Sequence, residues 1–203
     1  MIPSASQEIA QAAARMVVEE GLDYGAAKRR AAKQLGAFGR GDLPDNSQVE
    51  DAVFEYIAIF CADTQAPELR ALRKLAAQWM ERLAPFRPHL TGAVWRGTAT
   101  RLNDIHLQLY CDDSKSAEIA LINQGLDYEV GGITGPRGTT IDVLSLTIPC
   151  AELDEPIGLH LSILDHDDLR GGLKADAKGR TERGDLAALV RLLEQPLPTA
   201  SLT

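Results

Sequence analysis

The chain has 203 residues, 45% hydrophobic and 25% charged, a composition that excludes global disorder. Its 21 basic and 29 acidic side chains leave a net charge of -8, which repels nucleic-acid phosphate, and the aromatic content of 5% gives few stacking platforms. No run approaches the roughly 20 apolar residues that span a bilayer. The first residues lack a basic-then-apolar leader, and the 3 cysteines are widely spaced with no C-x-x-C pair. A cytoplasmic protein with no membrane and no nucleic-acid partner is the expectation.

In chain order, the first third reads as helices. Ser4 and Gln7 form a capping box ahead of Ile9, Ala13, Met16 and Val17, and Gly21 stops that helix. A second helix is predicted from Asp23 to Leu35, then a loop from Gly36 to Asn46. Ser47 and Glu50 are expected to cap a third helix carrying Val49, Val53, Tyr56, Ile57 and Phe60 on one stripe. A fourth begins near Pro67, with Leu69, Leu72, Leu75, Ala76, Trp79, Met80 and Leu83 at helical spacing. The cluster Lys28-Arg29-Arg30 with Lys33 reads as a solvated helix face, and docking to RNA or an acidic partner is the second reading.

After Pro88 the period changes. A strand is expected from His89 to Trp95 and a turn from Gly97 to Asn103. From Asp104 the chain alternates, with Asp104, His106, Gln108 and Tyr110 on one face and Ile105, Leu107, Leu109 and Cys111 on the other. A short helix, Ser116 to Gln124, and two strands, Thr140 to Ile148 and Pro156 to Leu164, follow. In the last of these Gly158, His160 and Ser162 oppose an apolar face. A basic, glycine-bearing loop from Arg170 to Arg183 leads to a final helix, Asp185 to Glu194. Most of the negative charge lies late: up to Leu90 there are 11 basic and 12 acidic residues, and beyond it 10 and 17.

The chemistry-bearing stretch runs from Thr91 to Leu109: a strand, a glycine turn, then a strand opening on an acid. It resembles the signature of the nucleotidyltransferase superfamily typified by DNA polymerase beta. Gly92 and Ala93 fall on that family's Gly-Ser pair. Arg96, Gly97 and Ala99 match the Arg-Gly-x-Ala of minimal members, and Asn103, Asp104, Ile105 and His106 fall on Ser-Asp-Ile-Asp, all without a gap. The resemblance implies an α+β fold: an N-terminal helical region (1–65), then a nucleotidyltransferase-like mixed sheet with helices on one face (66–203). It also implies an NTP bound through Gly92, Ala93, Arg96 and Gly97, with Mg²⁺ or Mn²⁺ held by Asp104, His106 and Asp142. Asp104 would be the catalytic carboxylate, and the reaction NMP transfer to a hydroxyl acceptor.

The chain departs from that pattern at three points. Ala93 lacks the hydroxyl, His106 replaces the second acid, and the third acid is not obvious, Asp142 being the one on offer. Imidazole is a poor ligand for the hard Mg²⁺. The alternative is therefore a degenerate protein of the same fold with a binding or regulatory role, its N-terminal helices serving a protein partner or acceptor. A metal hydrolase using Asp104, His106 and His160 ranks lower, because no H-E-x-x-H-like spacing is present. Taken singly, Asp104 would cap a turn and His160 would be structural.

Overall fold

The computed structural model describes residues 4–36, 43–135, 138–169, 175 and 179–195. The chain divides into two compact units. One gathers Met1–Ala66 with Thr98–Leu102, the other Pro67–Gly97 with Asn103–Leu197.

The first unit is built on three helices, α1 (Ala5–Glu20), α2 (Tyr24–Gln34) and α3 (Asn46–Phe60). The Ser4 hydroxyl accepts from the Gln7 N–H at 3.3 Å while the Gln7 side chain accepts from the Ser4 N–H at 2.9 Å, so two otherwise orphaned donors are satisfied. Gly21, at φ +68°, closes α1 in the left-handed conformation. The third helix starts earlier than expected. Asp45 and Gln48, not Ser47 and Glu50, form its capping box, at 2.8 Å in each direction. Both pairs obey the same rule, and the upstream one adds half a turn of helix for the same cap. Ile9, Ala13, Val17, Ala27, Ala31, Val49 and Val53 then form one buried core. Part of the basic cluster is engaged locally: Lys28 donates to the Pro44 carbonyl and Asn46, and Arg30 pairs with Glu20. Residues 37–42 of the expected loop lie outside the described residues.

The second unit is a six-stranded mixed sheet with helices, in the order β3-β4-β5-β2-β1-β6. Its strands are β1 (His89–Thr91), β2 (Ile105–Cys111), β3 (Glu129–Thr134), β4 (Thr140–Cys150), β5 (Glu155–Asp165) and β6 (Arg183–Gly184). β2 and β5 run parallel, and every other neighbouring pair is antiparallel. Ile105, Leu107 and Leu109 of β2, Leu159 and Leu161 of β5, and Leu144 and Leu146 of β4 are buried on one face. α6 (Ser114–Asn123) packs there against β2 and β5 through buried Ala117 and Leu121. From α4 (Gln65–Arg82), Leu72, Leu75, Ala76 and Met80 are buried, and α7 (Leu186–Glu194) buries Leu189.

Three expectations change here. The strand from His89 stops at Thr91, because Gly92 sits at φ +72°, outside the extended region, and opens the short helix α5 (Gly92–Arg96). β3 was not expected. Its six residues are all exposed, so no alternation marks it, and it is a strand through its pairing with β4 at the sheet edge. Arg183 leaves the basic loop and joins β6, buried; residues 170–174 and 176–178 of that loop lie outside the described residues.

β6 is held close to α5 because Gly184 has no side chain. A Cβ there would stand 2.0–2.5 Å from three atoms of the Trp95 ring, whose Nε1–H donates to the Thr181 carbonyl at 2.8 Å. Gly184→Ala is expected to cost about 1–3 kcal/mol in urea unfolding through overpacking. It should also shift Trp95 fluorescence; an unchanged midpoint and spectrum would mean that the contact is not tight.

Candidate functional site on the open sheet face

The face of the sheet opposite its apolar core carries the polar positions of β2, β4 and β5. Strand register sets a row across it. Ser145 lies opposite His160, His160 beside His106, His106 opposite Thr91, and Thr91 opposite Arg183. Side chains at paired positions share a face and stand close enough to interact.

Asp104, just ahead of β2, is fixed by two bonds from β5. Its Oδ1 accepts the Gly158 backbone N–H at 3.1 Å, and its Oδ2 lies 3.0 Å from His160 Nε2. The opposite ring nitrogen, His160 Nδ1, is 2.9 Å from Ser145 Oγ. An ionised carboxylate only accepts, so a neutral His160 carries its proton on Nε2, and Nδ1 accepts from the Ser145 hydroxyl. The hydrogen bonds thus run in one direction, from Ser145 through His160 to Asp104.

Gly158 makes this possible. A Cβ there would be 2.5 Å from the Asp104 Cγ and 2.6–2.7 Å from its oxygens, so the carboxylate occupies the space a side chain would take.

His106 stacks on His160, with ring centroids 4.9 Å apart and planes 21° apart. His106 keeps an exposed edge, yet the strands around its ring desolvate it enough to lower its pKa. His160 adds to that lowering and Asp104 opposes it.

Farther along β2 the face is closed by a second network. Gln108 Oε1 accepts from Arg183 Nη1 at 2.8 Å and from the Tyr110 hydroxyl at 3.0 Å. The Arg183 guanidinium lies 5.3 Å from the centre of the Tyr110 ring, which His89 meets edge-on. Burial pushes the Tyr110 hydroxyl up to about 12, with Arg183 opposing and Asp168 adding. Burial lowers His89.

No family model, curated protein or solved structure matches the chain.

His106 and Gly92 meet, a Cβ on Gly92 standing 3.6 Å from His106 Cδ2, while Asp104 turns to Gly158 and His160. Ala93 and Gly97 close α5 on itself, the Gly97 N–H donating to the Ala93 carbonyl at 2.9 Å, with Gly97 at φ +92°. Arg96 stands in the last turn of that helix. Asp142 does not join the group. On β4 it has the parity of buried Leu144 and Leu146, opposite to Ser145, and its charge acts on Lys115 of α6. Among the described residues no three of His, Cys, Asp and Glu are gathered to hold a metal ion. The donor set at Asp104, one carboxylate with two imidazoles bonded or stacked upon each other, does not fit a pair of hard divalent cations.

Ser145 and the anchoring role of Gly158 are what sequence reading missed. Only the register between β4 and β5 brings Ser145 to His160, and alternation within one strand carries no register.

Two outcomes follow for the site. Gly158→Ala displaces the Asp104 carboxylate and should cost about 1–3 kcal/mol in urea unfolding. In an Asp104→Ala background the added methyl has room, so most of that cost should vanish; additive effects would show that the two positions do not touch. The second concerns pH. A histidine whose pKa is lowered by folding binds fewer protons folded than unfolded. Its stabilising effect is complete above the ordinary histidine pKa and declines as pH falls through the window below it. His106 and His89 both act in this direction. The urea midpoint should drop between about pH 8 and pH 5, and His106→Gln should flatten part of that drop. A steeper decline in the variant would reverse the assignment.

Proposed function

We propose that the protein binds a nucleoside triphosphate on the open face of the sheet, as a nucleotidyltransferase-type protein whose site has lost two-metal transfer. The observation that carries this reading is the meeting of the two halves of the motif. The Gly92 turn lies against His106 while Asp104, two residues earlier, heads the same strand. A glycine at positive φ beside an acid-headed strand is the arrangement through which backbone can approach phosphate oxygens closely. The gapless match of residues 91–109 supplies the nucleotide as ligand.

Loss of transfer follows from the donor set. Phosphoryl chemistry in that superfamily needs carboxylates that bridge two cations. Here Asp104 is the single carboxylate of the motif, and His160 and Gly158 already hold it.

The test is a titration of the full chain with a fluorescent ATP analogue, and with unlabelled NTPs as competitors, in the presence and absence of Mg²⁺ or Mn²⁺. Saturable binding that weakens at least about tenfold in Gly92→Val is expected, the branched side chain filling the approach to the backbone. No transfer of α-³²P label should appear with either metal. Absence of any saturable binding would overturn the reading. Label transfer abolished by Asp104→Ala would replace it with an active nucleotidyltransferase.

A further inference from the structure

We propose that Ser145, His160 and Asp104 form an acyl-transfer relay in which Ser145 is the nucleophile toward a carboxylic ester. The proposal does not rest on nucleotide binding; it rests on three groups, one on β4, one on β5 and one just ahead of β2, joined in one directed chain of hydrogen bonds. Ser145 Oγ is 2.9 Å from His160 Nδ1, and His160 Nε2 is 3.0 Å from Asp104 Oδ2. Each member has the position its role demands. The serine donates to an unprotonated ring nitrogen, the carboxylate fixes the tautomer that leaves this nitrogen free to take a proton, and the Gly158 N–H holds the carboxylate. The relay is also reachable: the His160 side chain is 27% exposed and that of Asp104 49%.

The class of electrophile follows from the surroundings. Phosphoryl transfer needs cations to balance the charge on the equatorial oxygens. Among the described residues the bonds and ring contacts of Ser145, His160 and Asp104 go to one another, to Gly158 and to His106, with no lysine or arginine among them. A neutral carbonyl does not carry that requirement.

In the first step Ser145 Oγ attacks the ester carbonyl carbon and forms a C–O bond, while the hydroxyl proton passes to His160 Nδ1. The bond from that carbon to the alkoxy group then breaks, and the departing alcohol takes the proton from Nδ1. Water attacks the acyl-serine in the same way, giving its proton to Nδ1. The carboxylic acid is released as Ser145 recovers the proton.

The full chain is treated with a fluorophosphonate probe, with p-nitrophenyl acetate as a substrate in parallel, and adducts are located by peptide mass mapping. One adduct on the peptide containing Ser145 is expected, absent in Ser145→Ala, together with ester turnover above that variant's background. His160→Gln should slow labelling about 100-fold, the range of general-base assistance, and Asp104→Asn at least about tenfold. Circular dichroism identifies which variants are folded. Asp104→Asn keeps the carboxyl shape and serves where His160→Gln does not fold. An unmodified Ser145 overturns the proposal, as does a labelling rate unchanged in the folded His160 or Asp104 variant. The nucleotide titration is a separate measurement, so either reading can fail alone.

Discussion

The local arrangement depends on a missing side chain. Gly158 leaves room beside β5 for the Asp104 carboxylate, and the same glycine donates the backbone N–H that holds it. A hydrogen bond to a charged group is worth about 1.5–3 kcal/mol net, and the exposure of Asp104 places it at the low end. That modest energy is enough to fix the direction of the carboxylate. The carboxylate fixes the His160 tautomer, and the tautomer decides which partner Ser145 has. Parallel pairing of β2 with β5 makes the contact geometrically available, placing Ile105 beside Leu159 and His106 beside His160.

The sheet's two faces divide the work. The apolar side, with Leu107, Leu109, Leu159, Leu161 and Leu144 essentially without solvent contact, supplies stability at about 25 cal/mol per Å² of apolar surface removed from water. The opposite face carries a polar row from Ser145 through His160, His106 and Thr91 to Arg183, and is closed at one end by Arg183, Gln108 and Tyr110. The buried guanidinium there bonds the Gln108 side chain and lies over the Tyr110 ring. Such a cation is tolerated because arginine is weakly hydrated and its planar fork suits both a carbonyl oxygen and an aromatic face. At the other end Asp104 and His160 stay in reach of solvent.

Local signals were read well where one residue type has one physical use. Ser4 with Gln7, Gly21 and the N-cap Asp23 set the ends of the first helices, since capping is decided within four residues. The third helix shows the limit of that rule, because Asp45 with Gln48 and Ser47 with Glu50 are equivalent boxes and only the outcome separates them. β2 was legible because its inward residues are apolar and its outward ones polar. β3 was not, because an edge strand exposed on both sides carries no alternation. Gly92 misled in the opposite sense. It lies in a run that reads as a strand, while its positive φ ends that strand and starts α5.

By itself, the sequence determined the helical first third, the periods of β2, β4 and β5, and the placing of Asp104 and His106 on one strand face. All of these depend on neighbours within a few residues. Tertiary structure alone decided that Asp104 bonds to Gly158 and His160, that Ser145 completes the line, that Asp142 turns to the other face, and that Arg183 is buried. Each of these depends on register between strands far apart in the chain. A one-residue slip would carry every polar side chain to the core. Alternation within a strand says which residues share a face, and only pairing says which strands share a site.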